Sequence, residues 1–121
     1  MSYIDGFVLA VSTANKTAFT QQARKTDSVF IEYGAVRVFE CWGDDVPVGK
    51  LTDFHRAVQA TDDETVVFSW IEWPDKATRD AGMAKVMQDP RMNPEQFKPI
   101  FDGKRMIFGG FTPVIELGPA A

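Results

Sequence analysis

One cysteine and one histidine occur in 121 residues, and that scarcity removes whole classes of chemistry. A lone Cys41 cannot form an intrachain disulfide, a usage that suits a reducing compartment, so a cytoplasmic setting is expected. A lone His55 cannot build a histidine-based metal cluster within one chain, and no spacing flags a Ser-His-Asp arrangement. No apolar run approaches the roughly 20 residues needed to span a bilayer, so no membrane partner is expected. The opening MSYIDGFVLAV has no basic segment ahead of its apolar residues and reads as a first strand, not a signal peptide. Basic runs are missing as well. Lys and Arg number 13 against 17 Asp and Glu, a net charge of −4, and no basic run is longer than a pair such as Lys104-Arg105. Clustered Lys and Arg drive phosphate binding, so no nucleic-acid partner is expected. Gly109-Gly110 lacks GxGxxG spacing and lies in an expected strand. Asp44-Asp45 lacks the spaced oxygens of a calcium loop and, like Asp62-Asp63, reads as a solvated turn. Neither a cofactor nor a metal is expected.

What is present suits one globular domain over residues 1–121, with 45% hydrophobic and 25% charged residues. Strand signals cover about Tyr3–Thr13, Ala35–Trp42, Glu64–Trp73 and Lys104–Leu117. Between the first two, Phe19, Ala23, Thr26, Phe30 and Tyr33 recur at helical spacing behind Asn15, and Gly34 closes that helix. Pro74 stops the third strand, and Asp75 caps a second helix over Lys76–Gln88. A short helix is expected within Thr52–Gln59. The order βαββαβ implies an α+β, ferredoxin-like fold with a four-stranded antiparallel sheet.

Two helices cover one face of such a sheet, and the other face should then be polar. The strands contradict this. In FSWIEWPD and its surroundings, Val66, Phe68, Trp70 and Glu72 alternate with Val67, Ser69, Ile71 and Trp73, so both sides are apolar. A dozen extra buried apolar side chains, at about 1.5–3 kcal/mol each, would greatly favour a cover. A second copy, sheet against sheet in a two-fold dimer, supplies it. Glu40, Trp42, Phe68, Trp70 and Glu72 are assigned to this inter-sheet side, where a cavity can solvate the carboxylates. Phe39, Cys41, Val67 and Ile71 are assigned to the helix side.

The strings FECWGDDVPVGK, DETVVFSWIEWPD, DPRM and FDGKRMIFGGF closely resemble the bacterial YbaA-like family of small proteins of unknown function. That family is similar to the dimeric α+β barrel superfamily, whose members include monooxygenases, isomerases and simple binding proteins. The resemblance implies a homodimer in the cytoplasm and supplies no activity.

The candidate catalytic residues are Glu40 and Glu72, as a general acid and base, with His55 as a proton shuttle near Asp53 or Asp44. The bland alternative pairs the two glutamates with Arg37, Arg105 or water. Trp42, Phe68 and Trp70 are the candidate ligand-binding residues. The leading expectation is a homodimer holding a small apolar or aromatic molecule between its sheets. The alternatives are a cofactor-independent, monooxygenase- or isomerase-like enzyme with a buried glutamate base, and a structural or regulatory dimer without a ligand.

Overall fold

The helical stripe that begins at Phe19 ends in a left-handed glycine. Gly34 has φ +114°, Ala35 N–H bonds the Phe30 carbonyl at 3.0 Å, and Gly34 N–H bonds that of Ile31 at 3.2 Å. The computed structural model describes residues 2–95 and 97–119. It runs β1 (Tyr3–Ser12), a 3-10 turn at Thr13–Asn15, α1 (Lys16–Glu32), β2 (Arg37–Trp42), α2 (Phe54–Ala57), β3 (Glu64–Trp73), α3 (Lys76–Gln88), a 3-10 turn at Pro90–Met92, and β4 (Ile107–Phe111). Asp75 caps α3 by accepting from Thr78 N–H at 2.7 Å. Asn15 stands at the start of α1 without a side-chain cap.

The strands form one antiparallel sheet in the order β2-β3-β1-β4, the ferredoxin-like arrangement. Strand β4 is shorter than its sequence pattern. Residues 102–105 form a turn in which Asp102 accepts from Lys104 N–H at 3.0 Å, and the tail leaves the sheet just before Pro113.

The main core lies between sheet and helices. Leu9, Val11 and Val67 pack on Phe19 and Ala23 of α1, and Tyr3, Ile71 and Trp73 pack with Ala35. A buried polar pin ties the layers together. Asp5, 3% exposed, accepts from the Trp73 indole N–H at 2.8 Å and from Arg79 of α3 at 2.8 Å. A third small cluster sits on the opposite sheet face, where Val58, just after α2, covers Ala10 and Val66.

Register settles which side chains share a face, and it corrects the assignment for β2. Arg37 pairs with Glu72, Phe39 with Trp70 and Cys41 with Phe68, while Val38, Glu40 and Trp42 pair with Ile71, Ser69 and Val67. Even-numbered β2 residues therefore lie across from odd-numbered β3 residues. Glu40 and Trp42 turn toward the helices, and Phe39 and Cys41 join Phe68, Trp70 and Glu72 on the other face. A one-residue difference in pairing exchanges the faces completely.

Candidate functional site

The face away from the helices carries an aromatic line. Phe39 stacks on Trp70 at 4.4 Å between centroids, Phe68 meets Trp70 edge-on at 5.7 Å, and Phe54 of α2 meets Phe68 at 5.9 Å. At one end the Arg37 guanidinium sits 4.7 Å from the Phe39 centroid and pairs with Glu72 at 3.2 Å. Glu72 therefore takes the ion-paired arrangement that was the bland alternative. Beside this line, β1 and β4 floor a groove of about 700 Å³ bounded by Ile4, Val8, Ile107 and Phe111. Gly6 and Gly109 face each other there, and the Phe111 ring lies over both. Phe111 is 60% exposed, Ile107 46% and Phe68 43%. The tail beyond β4 adds exposed Val114, Ile115 and Leu117.

The other expected site residues fall elsewhere. Trp42 lies under α1, 6.3 Å from Phe19, with the Lys16 ammonium 5.5 Å from its ring. His55 contacts the Val46 carbonyl at 3.1 Å through Nε2. Asp53 instead caps α2, accepting from Arg56 N–H at 2.8 Å and from Gly49 N–H at 3.1 Å. Arg105 forks onto Glu64 at 2.8 and 2.7 Å, leaving neither Glu40 nor Glu72 as its partner. That fork and the Thr61 N–H draw the Glu64 carboxyl down to about 2. Arg91 pairs with Asp89 and Glu32, so DPRM closes an intrachain network at the end of α3.

Glu40 meets a partner that the sequence reading missed. Its carboxylate accepts a bond from the Ser69 hydroxyl, and Asp27 of α1 hydrogen-bonds it. Burial, the shared hydrogen bond and the negative charge of Glu40 push the Asp27 carboxyl up to about 9. At neutral pH Asp27 therefore keeps its proton. The sequence did carry a signal. Asp27 stands four residues after Ala23 and three before Phe30, a carboxyl on the apolar stripe of α1.

The pair lines two spaces, as do Phe19, Ala23 and Val38. Outside is a groove of about 390 Å³ along the β2 edge, bordered by Lys16, Arg24 and Trp42. Inside, between the helical layer and the sheet, is a cavity of about 230 Å³ whose walls include Phe7, Phe30, Phe101, Met83, Met92 and Met106. Among the described residues no group of three or more His, Cys, Asp or Glu could hold a metal, and no helix is long and apolar enough to cross a membrane.

The family described as "Protein of unknown function (DUF1428)" matches residues 2–103. The chain is 53% identical over 116 residues to the uncharacterized protein YbaA of Escherichia coli (strain K12), and equally to that of Shigella flexneri. Each alignment covers 96% of this chain and 99% of the relative. The fold is similar to that of a dimeric ferredoxin-like protein from an uncultured marine organism, with a TM-score of 0.60 at 14% identity over 97% of this chain and 100% of the other.

Proposed function

We propose that this chain, which belongs to the DUF1428 family of proteins of unknown function, works as a cytoplasmic homodimer whose sheets face each other across a chamber for a small, flat, apolar molecule. The observation that carries this reading is the uncovered aromatic face of Phe39, Phe68, Trp70 and Phe111. Apolar patches of that kind on a lone soluble chain mark an interaction site. The exposed Val114, Ile115 and Leu117 add apolar surface beyond β4 that a second copy would cover. A two-fold copy buries equivalent surfaces at once, at about 1.5–3 kcal/mol for each large side chain. The solved protein of the same fold is described as dimeric, which agrees with this arrangement.

Binding is favoured over catalysis in this chamber. Glu40 turns away from it, and Glu72 is held by Arg37 near the end of the aromatic line. What remains is an apolar, aromatic surface that suits an uncharged planar guest. The test is a thermal melt with 2-naphthol at increasing concentration. A saturable rise in the melting midpoint that disappears in Trp70→Ala is expected. No rise, or a rise that survives that substitution, would remove the chamber and leave a ligandless, structural dimer.

A further inference from the structure

Behind Glu40 the fold keeps space that its own side chains do not fill. The cavity of about 230 Å³ is smaller than the roughly 300–1,000 Å³ of sites for drug-sized ligands, so its guest is small. Most of its walls are soft. Met83, Met92 and Met106 adapt to irregular shapes, and the faces of Phe7, Phe30 and Phe101 attract a cation. One wall is polar, and there the chain's other polar groups are already committed. The Thr26 hydroxyl donates back to the Gln22 and Ala23 carbonyls at 3.3 and 3.2 Å. The Gln22 amide bonds the Lys98 carbonyl at 2.8 Å and the Ile100 N–H at 3.0 Å. Lys16 and Arg24 border the outer groove but not the inner cavity.

That leaves Asp27 and Glu40, backed by Ser69, which is 4% exposed. Both carboxyls line the outer groove and the inner cavity, so they stand at the doorway between them. The carboxyls of Asp27 and the exposed Glu40 stand beside apolar walls. An anion is repelled there. An ammonium group answers the two carboxyls with positive charge and three donors, which a neutral guest lacks.

We propose that this cavity is a binding site for a small monoamine with an aliphatic or aromatic body, its ammonium head received by Asp27 and Glu40 at the doorway. The site lies on the helix side of the sheet and needs no second copy of the chain. Its success or failure is therefore separate from that of the inter-sheet chamber. Binding shifts one proton: Asp27 releases it to solvent, and the ammonium then lies between two carboxylates.

Isothermal titration at pH 7 with 2-phenylethylamine, and with 2-phenylethanol as its uncharged match, tests the proposal. Saturable amine binding at least about tenfold tighter than the alcohol is expected, the equivalent of about 1.4 kcal/mol. Titration in two buffers of different ionisation heat should count close to one proton released per amine. Asp27→Asn should abolish that release, and the Asp27→Asn/Glu40→Gln double variant should lose about tenfold or more in amine affinity. Leu51→Ala, at an exposed position outside both sites, should leave amine binding unchanged. Absence of saturable amine binding, equal binding of amine and alcohol, or no proton release from the unaltered protein overturns the proposal, and these readings need no variant to fold.

Discussion

Replacing Asp27 by asparagine should change how stability depends on pH more than stability itself. The Asp27 carboxyl is raised to about 9 in the folded chain, against an ordinary value of 3.8, chiefly by burial and then by the hydrogen bond and charge of Glu40. Between those values the folded chain holds one proton more than the unfolded chain. Stability contributed by this group is thus complete below the ordinary value and is lost as pH rises toward 9. The limiting slope is about 1.4 kcal/mol per pH unit, which would be about 4 kcal/mol between pH 5 and pH 8. Sharing the proton with Glu40 and partial contact with water reduce this, to about 2 kcal/mol. The substituted side chain cannot ionise, yet its amide still donates to Glu40, so Asp27→Asn should lack this loss. Urea unfolding of both proteins at pH 5, 6, 7 and 8, at one fixed protein concentration, measures the difference. Contributions from groups that the substitution leaves alone are common to both and cancel. Parallel pH profiles, or a parent that gains stability relative to the variant as pH rises, would refute a protonated Asp27.

Other substitutions probe the framework that positions both sites. Asp5→Ala leaves the Trp73 indole N–H without its acceptor and Arg79 with Asp80 alone, and should cost about 1–3 kcal/mol in urea unfolding; no measurable loss would mean that the pin is not structural. In Gly82→Ala the new methyl would lie 2.6 Å from Trp73 Cζ3 and 2.7 Å from the Tyr33 carbonyl oxygen. A loss of about 1–3 kcal/mol is expected despite the better helix propensity of alanine, and a gain in melting temperature would contradict the contact. Glu64, drawn down to about 2 by Arg105, contributes stability that is present at neutral pH and is lost as pH falls from about 4.5 toward 2. Glu64→Gln should flatten that part of the acid unfolding profile, and an unchanged profile would discount the ion pair.

The fold was legible because its signals are local and agree with one another. The apolar runs of β1 and β3, the 3- and 4-residue spacing of α1, Gly34 as a stop, and the Pro74-Asp75 boundary each fix an element without long-range information. The candidate site was legible only in part. Phe68, Trp70 and Glu72 occupy the face expected of them, because β3 keeps a strict alternation. The face of Glu40 and Trp42 depends on how β2 pairs with β3. The 21 residues between these strands, 43–63, include only the short α2 and do not fix that register. Asp27 escaped notice for a different reason: the α1 stripe was read for its apolar residues alone. A carboxyl within that stripe raises the same question as Glu72 within its strand, and for Asp27 burial and Glu40 push the carboxyl up to about 9. The length of β4 was overread because the alternation of apolar residues continues past Phe111 into a tail that pairs with no strand of the sheet.

The inter-sheet chamber exists only if a second copy covers the aromatic face. Sedimentation equilibrium at micromolar concentration measures this directly. The account predicts a particle of twice the 13.5 kDa chain mass, reduced to a single folded chain by the Phe68→Lys/Phe111→Lys double variant. A parent protein that sediments as one well-folded chain of 13.5 kDa, with that face open to water, would contradict it.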